Sequence, residues 1–112
     1  MKALIIKEKW LNLILSGKKT WEIRSSNTKI RGKILLIKSS SKQIFGECEL
    51  VDSIKLNIEQ YKTNKDKHCI NVNQDILPYK NTYAWVLQNP QKYNNPIPYK
   101  HPMGAVIWVN ID

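Results

Sequence analysis

This 112-residue chain is short of arginine, glycine and cysteine, and it has no long apolar run. Its two cysteines, Cys48 and Cys69, lie far apart with no C-x-x-C spacing. That excludes a disulfide-dense scaffold and fits thiols kept reduced. Structural zinc sites draw their ligands in closely spaced pairs. Cys48, His68, Cys69 and His101 offer only one adjacent pair, so neither a metal nor a cofactor is expected. No stretch reaches the roughly 18 apolar residues of a membrane-spanning helix. The apolar start, Met1 to Ile6, is halted by Lys7, Glu8 and Lys9. It is too short for a secretory leader, so a cytoplasmic location is expected. There is no Ser-His-Asp or Cys-His set and no glycine-rich phosphate loop.

What the chain has is positive charge. Eighteen basic residues against nine acidic ones give a net charge of +9, which points to a partner rich in phosphate. Sixteen of the 18 are lysine, a bias that an AT-rich genome would also produce. Arginine reads phosphates and base edges better, because its planar fork bonds bidentately. Arg24 and Arg31, the only two, are therefore the more informative cations. An apolar content of 42% suffices for one modest core, so residues 1–112 are read as a single domain, taken as a monomer.

The pattern along the chain is mainly β. Lys2 to Ile6 reads as a short buried strand. Trp10, Leu11, Ile14 and Leu15 fall at helical spacing within a helix over Glu8 to Ser16, and Gly17 stops it. Strands are expected at Thr20 to Ser25, Lys33 to Lys38, Gln43 to Ile54, Thr82 to Leu87 and Gly104 to Asn110. Gly46 marks a bulge or bend. Leu56 to Asn81 is irregular, with one short helix near Ile58 to Lys62, and Pro90 to His101 reads as a proline-rich connection. Several short strands with flanking helices predict an α+β fold, mainly β, built as a small, partly closed barrel.

The most informative segment is the corner at Gly17. A helix ends there and the chain runs directly into a strand. Strand alternation puts Thr20, Glu22 and Arg24 on one face, and Trp21 and Ile23 on the other, toward the core. Lys19 sits at the corner, able to reach the same edge. A purely structural reading is available: Glu22 and Arg24 as an ion pair on a solvated face, with Lys18 and Lys19 as helix C-terminal cations. Glu22 beside Lys19 is expected to keep that lysine protonated. Trp21 and Trp108 are read as core residues.

The run Gly17-x-Lys19-Thr20-x-Glu22-x-Arg24 resembles the signature of ASCH domains, a branch of the PUA-like β-barrel superfamily. Trp10, the Gly32-Lys33 turn, the strand with Gly46, the Tyr83-to-Leu87 strand and the Asn95-Pro96-Ile97-Pro98-Tyr99 tail fall in matching order. Leu56 to Asn81 matches nothing. The resemblance implies a cleft beside the helix-to-strand corner that holds RNA or a modified nucleobase or nucleoside. It would be lined by Lys19, Thr20, Glu22 and Arg24, with Trp10, Tyr83 and Trp85 near it. The alternative it implies is a hydrolase at the same cleft, with Lys19 and Glu22 as catalytic groups. Some small ASCH proteins resemble an amidohydrolase that deacetylates N4-acetylcytidine, and others are linked to RNA cleavage. The amidohydrolase type has a threonine where Glu22 stands, and a later glutamate for which Glu49 and Glu59 are candidates.

Overall fold

A computed structural model describes residues 1–112. The elements in chain order are β1 (Lys2–Ile6), α1 (Glu8–Leu15), β2 (Trp21–Arg24), β3 (Gly32–Lys38), β4 (Gln43–Lys55), α2 (Ile58–Thr63), α3 (Lys65–His68), β5 (Tyr83–Pro98) and β6 (Trp108–Asn110). The strands form one six-stranded sheet in the order β2-β5-β4-β3-β1-β6. Only β1 and β3 pair in parallel. The mainly-β architecture with short helices is the one expected. Hydrogen bonding does not close it into a barrel, because β2 and β6 remain as edges.

The two long strands, β4 and β5, bend to give the sheet its curl. Their pairing shifts register at three places, and each bulge increases the local twist. Gly46 sits at one of them. A Cβ there would lie 2.4 Å from the Gln91 carbonyl oxygen and 2.6 Å from Leu15 Cδ2. The glycine thus lets β5 and α1 come up against β4 together.

The curl divides the apolar residues. One cluster, including Leu4, Leu11, Ile14, Leu36, Leu50 and Trp85, fills the concave side beneath α1. Leu11 and Ile14 are the fully buried pair of that helix, and burying each side chain is worth about 1.5–3 kcal/mol. A second cluster joins Trp21, Ile23, Leu56, Tyr61 and Ala84. The alternation of β2 separates these surroundings: Trp21 and Ile23 enter the second cluster, while Glu22 and Arg24 turn to the opposite face.

Three elements differ from the sequence reading. First, β5 runs on through Pro90, Pro96 and Pro98, where a connection was expected. Beyond Leu87, whose amide donates to the Thr20 carbonyl, it has β4 as its only partner. An edge without ladder bonds tolerates residues that lack an N–H, and the left-handed Asn89 puts Pro90 in a bulge. Second, the last strand is only Trp108–Asn110. Third, the irregular middle contains α3 in addition to α2. Asn57 caps α2 through a reciprocal capping box with Gln60.

Candidate functional site

The helix-to-strand corner forms because Gly17, at φ +84°, lets the chain leave α1. The amides of Lys18 and Lys19 both donate to the Leu13 carbonyl, 3.1 Å each. This tight wrap turns the Lys19 side chain inward, leaving it 2% exposed. Its Nζ donates to the His68 carbonyl at 2.5 Å, stands 3.9 Å from Glu22 Oε1 and lies 4.6 Å from the centre of the Trp10 ring. Lys9 sits 4.7 Å from the same ring, so the π system of Trp10 is engaged by cations.

Glu22 is 5% exposed. Its Oε2 accepts from Arg24 Nε at 2.8 Å and forms an ion pair with Nη2, also 2.8 Å away. Arg24 Nη2 also donates to the Ile5 carbonyl, 3.0 Å away. This bond links edge strand β2 to β1, the neighbour of the opposite edge β6. A guanidinium thus bridges the seam that backbone pairing leaves open. The solvated strand face of the structural reading does not exist here: the pair is enclosed.

Three groups of this cluster keep free bonding capacity. Glu22 Oε1 has no hydrogen-bond donor within the protein, and Arg24 Nη1 has no acceptor. Lys19 has further protons beyond the one given to His68. The three groups open onto a recess of about 350 Å³, at the small end of the roughly 300–1,000 Å³ range of small-molecule sites. Its walls are Trp10, Ile23, Ile70, Pro78, Tyr79 and Val106, with Lys7 and Ser39 at the rim.

Burial lowers the Lys19 ammonium from 10.5 to about 8. The nearby Glu22 carboxylate opposes that shift and does not overcome it, so removal from water is the larger effect. At about 8 the lysine is still mostly charged at pH 7 and loses its proton just above that pH. Water is excluded by Trp10 on one side and the α3 region on the other.

The segment that carries α3 is held by a buried histidine. His68 stacks on Tyr61 with ring centres 4.3 Å apart. Its Nδ1 accepts from the Ile70 amide at 2.9 Å, so Nε2 carries the proton and donates to the Tyr61 carbonyl, also 2.9 Å away. Burial lowers the pKa of this ring, in keeping with a neutral imidazole that accepts at one nitrogen. The bonding fixes the His68 carbonyl that receives Lys19. His68 is thereby engaged by Tyr61 and Ile70, and no three His, Cys, Asp or Glu side chains come close enough to hold a metal ion.

Of the residues expected at the cleft, the structure brings Trp10, Lys19, Glu22 and Arg24 together in the recess. Thr20 lies before β2 begins and lines a separate hollow with Gly17, Leu87 and Asn89. Tyr83 packs against the main core. Trp85, 1% exposed, is a core residue whose Nε1 donates to the Ser26 carbonyl at 2.9 Å. It stacks with Trp108, ring centres 5.6 Å apart, and supports Arg24 from below at 5.5 Å. The sequence reading missed Ile70, Pro78 and Tyr79, all from the segment that matched no pattern. The half-exposed Tyr79 was the one available signal, as an aromatic between a proline and a lysine in a polar loop.

Comparison with known proteins agrees with this architecture. No curated protein sequence matches the chain. The crystal structure of the ASCH protein of Zymomonas mobilis superimposes with a TM-score of 0.74 at 15% identity, covering 99% of this chain and 87% of that one. A serine-to-alanine variant of it gives 0.75 at 15% identity with the same coverage. A tyrosine-to-phenylalanine variant gives 0.72 at 17% identity, over 87% and 74% of the two chains. The family model described as the ASCH domain matches residues 4–97, and the chain belongs to the ASCH domain family.

Proposed function

We propose that the recess binds a nucleobase of RNA or of a modified nucleoside. The observation that carries this reading is Glu22 Oε1, an oxygen of a largely buried side chain that has no protein donor and lines the recess, set between two cations that keep unused N–H groups. Such an edge complements a base that presents an exocyclic amine beside a carbonyl or ring nitrogen, as carboxylates accept from the cytosine amine. Lys7, Lys19 and Arg24 outnumber the single carboxylate of the recess and favour the phosphate attached to that base. With the ring of Trp10 engaged by lysines, the exposed Tyr79 is the flat wall available for stacking. The chain's net charge of +9 would speed encounter with a polyanion.

The test is equilibrium binding of short single-stranded RNA across a salt series. Affinity should fall with a log–log slope near −0.7 for each phosphate neutralised, and Glu22→Gln should weaken it. Absence of binding to any RNA or nucleoside at low salt would remove the reading.

One observation favours hydrolysis as a second reading. With a pKa of about 8, Lys19 holds a sizeable fraction of neutral amine at pH 8, able to accept a proton or attack a carbonyl. Glu22 would then handle protons at the same recess. Release of acetate from N4-acetylcytidine, lost in Lys19→Met, would support it; an inert wild-type protein would count against it.

A further inference from the structure

The recess does not end at its rim. Ile5, Ser39 and Val106 line it and also line a second hollow of about 330 Å³. The second hollow adds Lys42 and the ring of Tyr99. That ring is held in place from several sides. The Tyr99 amide donates to the Lys42 carbonyl at 3.2 Å. The Ala105 carbonyl lies 2.9 Å from His101 Nε2 and can only accept, so Nε2 carries the proton. Nδ1 then accepts from the Tyr99 hydroxyl, 2.7 Å away. A preset aromatic ring beside a lysine is the combination with which single-strand binders stack a base and pair its phosphate. Across both hollows, Lys7, Lys19, Arg24 and Lys42 face one carboxylate, Glu22. One isolated nucleoside has no use for this second platform.

We propose that the two hollows take successive nucleotides of one single strand, with the linking phosphate at Ser39 and the second base on Tyr99. The ligand is then an oligonucleotide rather than a free nucleoside. This rests on the nucleobase reading of the first recess and adds to it.

The test compares two ligands by calorimetry at low salt, for each of the four bases. One is a nucleoside 3′,5′-bisphosphate; the other is a 5′-phosphorylated dinucleotide, which has the same number of phosphates and one more base. The dinucleotide should bind about tenfold more tightly, a gain of the size expected from one stacked base. Tyr99→Ala should erase that gain and leave bisphosphate binding in place. Lys42 is exposed, so Lys42→Ala tests the same hollow without risk to the fold and should weaken dinucleotide binding several-fold. Equal affinities for the two ligands, or a gain that survives both substitutions, would overturn the two-nucleotide assignment while leaving the first recess intact. Failure of both ligands to bind would overturn the nucleobase reading and this inference with it.

Discussion

Replacing Lys19 by methionine should flatten the pH dependence of stability between pH 7 and 10. Burial lowers the pKa of this ammonium from 10.5 to about 8 in the folded protein. The unfolded chain therefore holds the proton more tightly, and charging the buried group opposes folding. Stability is lowest below pH 8 and rises as pH climbs from the folded value toward the unfolded one. With 1.36 kcal/mol for each pKa unit, the wild-type protein should gain roughly 2–3 kcal/mol from this group between pH 7 and 10. Methionine fills similar volume, cannot ionise, and leaves Glu22 paired with Arg24. The other lysines titrate in both proteins and cancel in the difference. Urea unfolding of the two proteins at pH 7, 8, 9 and 10 measures the effect. Curves that stay parallel across this range would show that Lys19 is solvated and would refute the enclosed-recess argument. The reverse trend, wild type losing stability relative to the variant as pH rises, would show that attraction to Glu22 outweighs desolvation.

Further outcomes follow from the same geometry. Glu22→Ala strands the buried Lys19 and leaves Arg24 without its carboxylate; breaking such a pair costs about 3–5 kcal/mol. Since a fifth of the Arg24 side chain is exposed and can be hydrated, the lower end is expected in urea unfolding, and a loss below about 1 kcal/mol would contradict the enclosed pair. Gly46→Ala forces a Cβ into the Gln91 backbone and should lower stability by about 1–3 kcal/mol or more; an unchanged melting temperature would refute that close approach. Cys48 is buried, with its thiol pushed up to about 12, while Cys69 is partly exposed. A thiol reagent should therefore modify one cysteine in the native protein and both only after unfolding; two equal native rates would contradict this.

The parts of the site that were legible in the sequence are those set by local chemistry. Gly17 just past an amphipathic helix marks the corner, and strand alternation separates Glu22 and Arg24 from Trp21 and Ile23. The environment of those side chains was not legible. Whether Lys19 is charged depends on Trp10 and on the His68 carbonyl, the latter 49 residues away, and no local pattern encodes that enclosure. Ile70, Pro78 and Tyr79 sit in a segment without periodicity, so their place on the wall follows only from tertiary packing. The extent of β5 was misread for a related reason. Proline signals a break wherever a strand is paired on both sides, and the sequence alone does not reveal that one side of β5 is free. Trp85 shows the limit of aromatic composition as a guide: Ala84 and Val86 on either side of it pack in the second cluster, and alternation sends Trp85 into the main core beneath Arg24.

The most direct test of the central claim is an amide and indole NMR titration with a short single-stranded RNA at low salt. Each of the four tryptophans contributes a separate indole N–H signal. A base seated in the recess should shift the indole of Trp10 and the amides of Glu22, Ile23 and Tyr79, while the buried Trp85 indole, bonded to Ser26, stays in place. Shifts confined to lysine-rich surface away from these residues, or none at all, would contradict the assignment of the seam recess as the nucleobase site.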